Sequence, residues 1–151
     1  MGARERLAEL GLELPQVVPP VAAYVPAART GNLVYTSGQL PMVDGKLPAT
    51  GKVGGEVDPG QAKELAATCA LNALAAIDAL AGLDNVVRIV KVVGFVASAP
   101  DFTGQPGVMN GASELFGSVF GEAGQHARSA VGVTALPLDA PVEVEVIAEV
   151  R

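Results

Sequence analysis

The C-terminal stretch "HARSAVGVTALPLDAPVEVEVIAEV", His126 to Val150, holds most of the residues whose types could do chemistry. Arg128 opens a run of small and apolar residues, an unusual place for a guanidinium. A guanidinium can hold a carboxylate by two parallel hydrogen bonds, which fixes the ligand's plane as well as its position. Taken alone, such an arginine is read first as the ion-pair partner of a carboxylate at a subunit interface. Glu143 and Glu145 in "VEVEV" are two residues apart, so on a strand they share one face. His126, the sole histidine, lies two residues before Arg128 and could reach a ligand held there, but a lone loop histidine reads first as a surface residue. Cys69, the sole cysteine, lies in an alanine-rich segment and reads as a small buried hydrophobe. One histidine and one cysteine do not make a zinc site, and no metal is expected. "GKVGGEV" lacks the spacing of a phosphate-binding loop.

The elements that must position these residues come from a chain of 151 residues, the size of one domain with a real core. Half the residues are hydrophobic and 17% are charged, too apolar a balance for disorder. The longest apolar stretches are broken by Gly, Asp, Arg or Lys, so no membrane span is expected. The start "MGARERLAELGLELPQ" lacks the apolar core of a signal peptide, and a single cysteine suits a reducing cytoplasm. The net charge is −6 without any run of Lys or Arg, which disfavours nucleic acid as a partner.

"RERLAELG" reads as a short helix ended by Gly11, followed by the extended stretch "LPQVVPPVAAY". "YVPAARTGNLVYTSGQLP" gives two β-prone runs separated by "RTGN", a hairpin signal. "MVDGKLPATGKVGGEV" reads as a loop with at most a short strand. A long helix follows, with Asp58 as its cap, Pro59 in its first turn and Gly82 at its end. Leu71, Leu74, Ile77 and Leu80 recur at helical spacing and are expected to face the core. "NVVRIVKVVGFVASA" is a strand apolar at both odd and even positions beyond Lys91, so both its faces should be covered. "GVMNGASELFGSVFGEAG" is a second helix with Val108, Leu115, Val119 and Phe120 inward, and two strands around "LPLDAP" close the chain. Two helices can cover only one face of such a sheet. The other apolar face would be a large patch on a monomer, so a closed homo-oligomer is expected.

"GNLVYTSGQLP" in the early strand and "ARSAVGVTALPLDAPVEVEVIA" near the end together resemble the Rid family, the reactive intermediate deaminases. These are also called YjgF-like or endoribonuclease L-PSP proteins. The resemblance runs from Tyr24 to Ala148 within a single domain spanning residues 1–151, whose first 20 residues are a helix and an extended lead-in. It implies an α+β, chorismate-mutase-like fold: a mixed sheet with two main helices packed on one face, here with an extra N-terminal helix. It also implies a homotrimer with a central β-barrel and ligand clefts between subunits. Typical members hydrolyse 2-imino acids or their enamine tautomers to 2-keto acids and ammonia, without a cofactor.

By this resemblance Arg128 is the substrate-binding arginine and Glu143 the glutamate that positions or activates water. Glu145 remains a solvated strand-face acid. Tyr24 aligns with a tyrosine that reaches the cleft, although a core or interface role is an equal reading. Ser37 matches a polar position lining the site, or is a strand-end hydroxyl satisfied by backbone; Gly38 would let backbone approach closely. Asn110 resembles the asparagine at the start of the second helix, although a simple helix cap is the first reading there. Ala130 stands where typical imine deaminases have cysteine, and its backbone carbonyl could still hold water. "AAY" replaces the usual "GPY", and "DFTGQPGVMNG" is longer than usual, marking a divergent subgroup. Three functions compete: imine deamination, non-catalytic binding of small carboxylates on the same scaffold, and, against the acidic charge, ribonuclease activity.

Overall fold

The computed structural model describes residues 1–17 and 22–151; part of the expected extended lead-in, residues 18–21, lies outside the described residues. The helices are α1 (Ala3–Glu9), α2 (Pro59–Ala81) and α3 (Gln105–Phe120). The strands are β1 (Ala27–Thr30), β2 (Leu33–Thr36), β3 (Val86–Ala97), β4 (Ala127–Val133) and β5 (Val142–Val150). They form one mixed sheet in the order β1-β2-β5-β3-β4, in which only the β3–β4 pair is parallel. The strands on either side of "LPLDAP" are therefore not neighbours: β3 lies between them. The crossover between β3 and β4 contains α3, as a parallel pair requires.

Local chemistry accounts for each element. Gly31 and Asn32 turn the β1–β2 hairpin, with Gly31 at φ +56°. Asp58 accepts a hydrogen bond from the Gln61 N–H at 3.1 Å, Pro59 sits in the first turn, and Gly82 at φ +82° ends α2. Ala62, Ala66, Cys69, Ala70 and Ala73 are fully buried along α2, and their small side chains let it lie close to its neighbours. This makes α2 long and apolar enough, on composition alone, to cross a membrane. Its apolar residues are instead the core. Leu74 and Ile77 are buried as expected and Leu71 is half-buried, but Leu80 is exposed, although Ala81 beside it packs on the core. In α3, Val108, Met109, Ala112, Phe116 and Val119 are buried, while Leu115 and Phe120 are only partly so.

Both main helices lie on one sheet face. Val142, Val144, Val146, Ala148 and Val150 of β5 and Ile89, Val92 and Val96 of β3 are buried beneath them. The register places Glu143 opposite Phe95, Glu145 opposite Val93 and Ile147 opposite Lys91 on the other face. With Tyr35 of β2 and Val131 of β4, that face carries large apolar groups that the described residues do not cover. The loop before α2 forms isolated bridges rather than a strand, with buried Val53 paired beside the end of β3. The N-terminal helix belongs to the helical side. Leu7 is buried, the Arg4 N–H donates to Asp84 at 3.1 Å, the Arg4 guanidinium pairs with Asp78, and Arg6 donates to the Ser118 carbonyl at 2.9 Å.

Candidate functional site

Arg128 sits on edge strand β4 opposite Val92 of β3, so its side chain leaves the sheet on the helical side. There it meets α3. One terminal nitrogen, Nη1, donates to Asn110 Oδ1 at 2.8 Å and to Ser113 Oγ at 3.2 Å. A guanidinium has five N–H groups, two of them on Nη1. Among the described residues, Nε and Nη2 have no hydrogen-bond partner, and no carboxylate pairs with Arg128. One edge of the fork is thus held by neutral side chains, and the other has no protein partner among the described residues. Asn110 lies in the second turn of α3, whose cap position is Gly104, so it is a partner of Arg128 rather than a cap.

Behind Arg128 stand Ser113, which no sequence pattern marked, and His126, whose surface reading does not hold. Ser113 is one turn from Asn110 on the same face of α3. Its hydroxyl also lies 2.9 Å from His126 Nε2, and His126 Nδ1 lies 2.6 Å from the Gly124 carbonyl oxygen. A carbonyl only accepts, so Nδ1 carries the hydrogen there. In the neutral ring Nε2 is then the acceptor; the Ser113 hydroxyl donates to it and turns a lone pair to Arg128. The ring of His126 stands edge-on to Phe116, centroids 5.8 Å apart at 86°. The sole histidine is therefore a half-buried, fully bonded residue, not a free surface side chain. The signal available in sequence was "N-x-x-S" on a helix followed by "H-x-R" at the next strand.

Glu143 belongs to the opposite face. Its carboxylate occupies the space that a Cβ at Gly38 would fill, 1.9 Å from that position, so any larger residue there would push the carboxylate aside. The chain reaches this point through an irregularity in the β2–β5 ladder. Thr36, a buried polar residue, accepts the Val146 N–H on its side-chain oxygen at 3.0 Å, and regular pairing resumes at Gln39 with Val144. Ser37 and Gly38 step out of the ladder between them. The Ser37 hydroxyl donates to the Val25 carbonyl oxygen, the backbone-satisfied alternative. Tyr24 is 59% exposed just before β1. Burial, and secondly the charge of Glu145, push the Glu143 carboxyl above the usual carboxylate range. Burial, with a smaller contribution from Glu143, also pushes the Cys69 thiol up, as befits an inert core residue.

The expected residues fall into two groups on opposite sheet faces. Arg128, Asn110 and Ala130 lie on the helical side, and Glu143 with Gly38 lies on the bare side. Ala130 is opposite Gly94 of β3, where a Cβ would strike Met109 of α3 at 2.1 Å. A cleft of about 270 Å³ on the bare face is lined by Tyr35, Lys91, Val93 and Glu145, and another of about 350 Å³ lies beside α1. Neither contains Arg128 or Glu143.

Residues 15–150 match the family model described as endoribonuclease L-PSP, so α1 precedes the matched region. Protein TCP17 of Trypanosoma cruzi is 43% identical over 147 residues, covering 96% of this chain and 92% of that protein. The crystal structure of Atu1372 from Agrobacterium tumefaciens is 47% identical and superposes with a TM-score of 0.89, covering 98% of this chain and 91% of that one. The structure of TdcF from E. coli with bound serine is 30% identical with a TM-score of 0.61, covering 88% of this chain and 91% of its own.

Proposed function

Because the chain belongs to the endoribonuclease L-PSP family, the YjgF-like proteins, we propose that it hydrolyses small 2-imino or enamine acids to 2-keto acids and ammonia. The observation that carries this reading is the guanidinium of Arg128, held by neutral Asn110 and Ser113 with its Nε and Nη2 edge turned to no protein carboxylate. That edge matches a planar substrate carboxylate in two parallel hydrogen bonds. Arg128 and Glu143 leave opposite faces of the sheet, so a site that uses both takes them from two copies of the chain. A homotrimer packed through the bare faces, with sheets closing a central barrel and clefts between subunits, is the assembly that does this.

In such a cleft Glu143 takes a proton from water as its oxygen bonds to the C=N carbon and the C=N electrons move to nitrogen. That proton returns to nitrogen, leaving a hydroxyl and an amine on one carbon. The hydroxyl proton then passes through the same carboxyl to the amine, so the C–N bond breaks, ammonia leaves and the keto group forms. A carboxyl held above its ordinary range suits both directions of transfer. Ala130 leaves the pocket without a thiol, and the backbone of the edge strand is then the polar wall beside the reacting carbon. No cofactor enters these steps.

A second reading is a small-carboxylate binding protein on the same scaffold, favoured by an arginine clamp that is complete without any acid. The serine bound to TdcF is itself a small carboxylate. Ammonia and keto-acid release from freshly generated 2-iminopropanoate and 2-iminobutanoate separates the two. Deamination predicts acceleration over the spontaneous rate that falls by at least about a hundredfold in Arg128→Ala and in Glu143→Gln. No acceleration by the wild type, with carboxylate binding retained, would replace the enzyme by the binding protein.

A further inference from the structure

We infer that Ser113 and His126 are positioning residues that set the plane of the Arg128 guanidinium and so decide its preference for carboxylates; this rests on the clamp reading above. An arginine side chain has several rotatable bonds, and a bidentate fork is useful only if its plane is fixed before the ligand arrives. Asn110 supplies one anchor at 2.8 Å, from an exposed position on the helix. One contact leaves the guanidinium free to turn about it. Ser113 supplies the second on the same nitrogen, at 3.2 Å, and the two contacts together define the plane.

A lone serine hydroxyl rotates and can turn its hydrogen toward the arginine. His126 prevents that. With Nδ1 committed to the Gly124 carbonyl and the ring set edge-on to Phe116, Nε2 holds the Ser113 hydrogen and keeps an oxygen lone pair aimed at Nη1. Gly124, buried against the main chain of Phe116, fixes the carbonyl that starts the relay. The order Gly124, His126, Ser113, Arg128 makes the histidine act through the serine.

Calorimetric titration of the whole protein with pyruvate, and with uncharged pyruvamide as its control, tests this. Ser113→Ala is expected to weaken pyruvate binding by about tenfold, the usual scale for one hydrogen bond to a charged group, with pyruvamide binding unchanged. His126→Ala should have a smaller effect in the same direction, with partial recovery in His126→Gln, which restores an acceptor. The double variant should bind no more weakly than Ser113→Ala alone, because removing the serine already breaks the relay. A general loss of packing would weaken both ligands equally and would overturn the inference. So would wild-type pyruvate affinity in Ser113→Ala and His126→Ala while Arg128→Ala has lost it, leaving the clamp intact. Undiminished binding by Arg128→Ala would sink the clamp itself.

Discussion

At the scale of single residues, Glu143 carries a cost that the fold accepts. Its carboxyl is pushed up by burial and then by the Glu145 charge, so its value in the folded chain exceeds that in the unfolded one, about 4.3. Stability from a group shifted in this direction is fully present below the unfolded value and is lost as pH rises through the folded value. At neutral pH the ionised side chain is therefore a liability. Glu143→Gln keeps the shape that fits over Gly38 and removes the charge. Its melting temperature should lie a few degrees above that of wild type at pH 7, with the gap closing as pH falls through the folded value and gone below about 4. A gap that persists or widens in acid would show that the charge is not the cause. A residue retained against stability is the kind an active site keeps.

At the scale of elements, the crossing of α2 and α3 depends on one missing side chain. A Cβ at Gly111 would lie 1.9 Å from the Lys63 carbonyl oxygen and 2.9 Å from its carbon, both main-chain atoms that cannot swing away. Gly111→Ala must separate the helices that hold Asn110 and Ser113 over Arg128. It should cost about 1–3 kcal/mol in urea unfolding, although alanine is the better helix former. Gly117→Ala, in the same helix with nothing within 4 Å, should instead stabilise by up to about 1 kcal/mol. Equal effects at both positions would mean that propensity, not the crossing, governs this helix. The contrast also marks how far sequence could be read. Caps, turns and periodicity are local, so Asp58, Gly82, the β1–β2 hairpin and the long strand β3 were legible from neighbouring residues alone. The insertion of β3 between β4 and β5 and the approach of α3 to Lys63 are contacts between distant segments, which no local pattern encodes. The same limit hid Ser113, an ordinary helical serine until β4 brings Arg128 and His126 beside it. Arg128 stood out as a guanidinium among small apolar residues, but on that pattern alone it reads as an interface ion-pair partner, and only the family resemblance makes it a clamp.

For the whole molecule, the two sheet faces pose different physical problems. One is sealed by α2 and α3, with α1 fastened to that same side through Asp78, Asp84 and Ser118. The other presents Tyr35, Val93, Phe95, Val131 and Ile147 among three half-buried glutamates. In the trimer proposed above, a second copy on this face would remove the apolar groups from water and bring its own Arg128 within reach of Glu143. Val93, at the middle of this face, separates assembly from folding. In a single chain Val93→Lys sets an ammonium opposite Glu145 on a partly exposed strand face, a tolerable change. Within an interface the same lysine and Glu145 are both taken out of water, and the desolvation cost can exceed their attraction. Wild type should sediment at three times the mass of one chain, and Val93→Lys as a folded single chain. The variant should also lose imine hydrolysis, although Arg128, Ser113, His126 and Glu143 are all untouched. Full activity from a sedimenting monomer would place the whole reaction on one protomer and return Glu143 to a structural role.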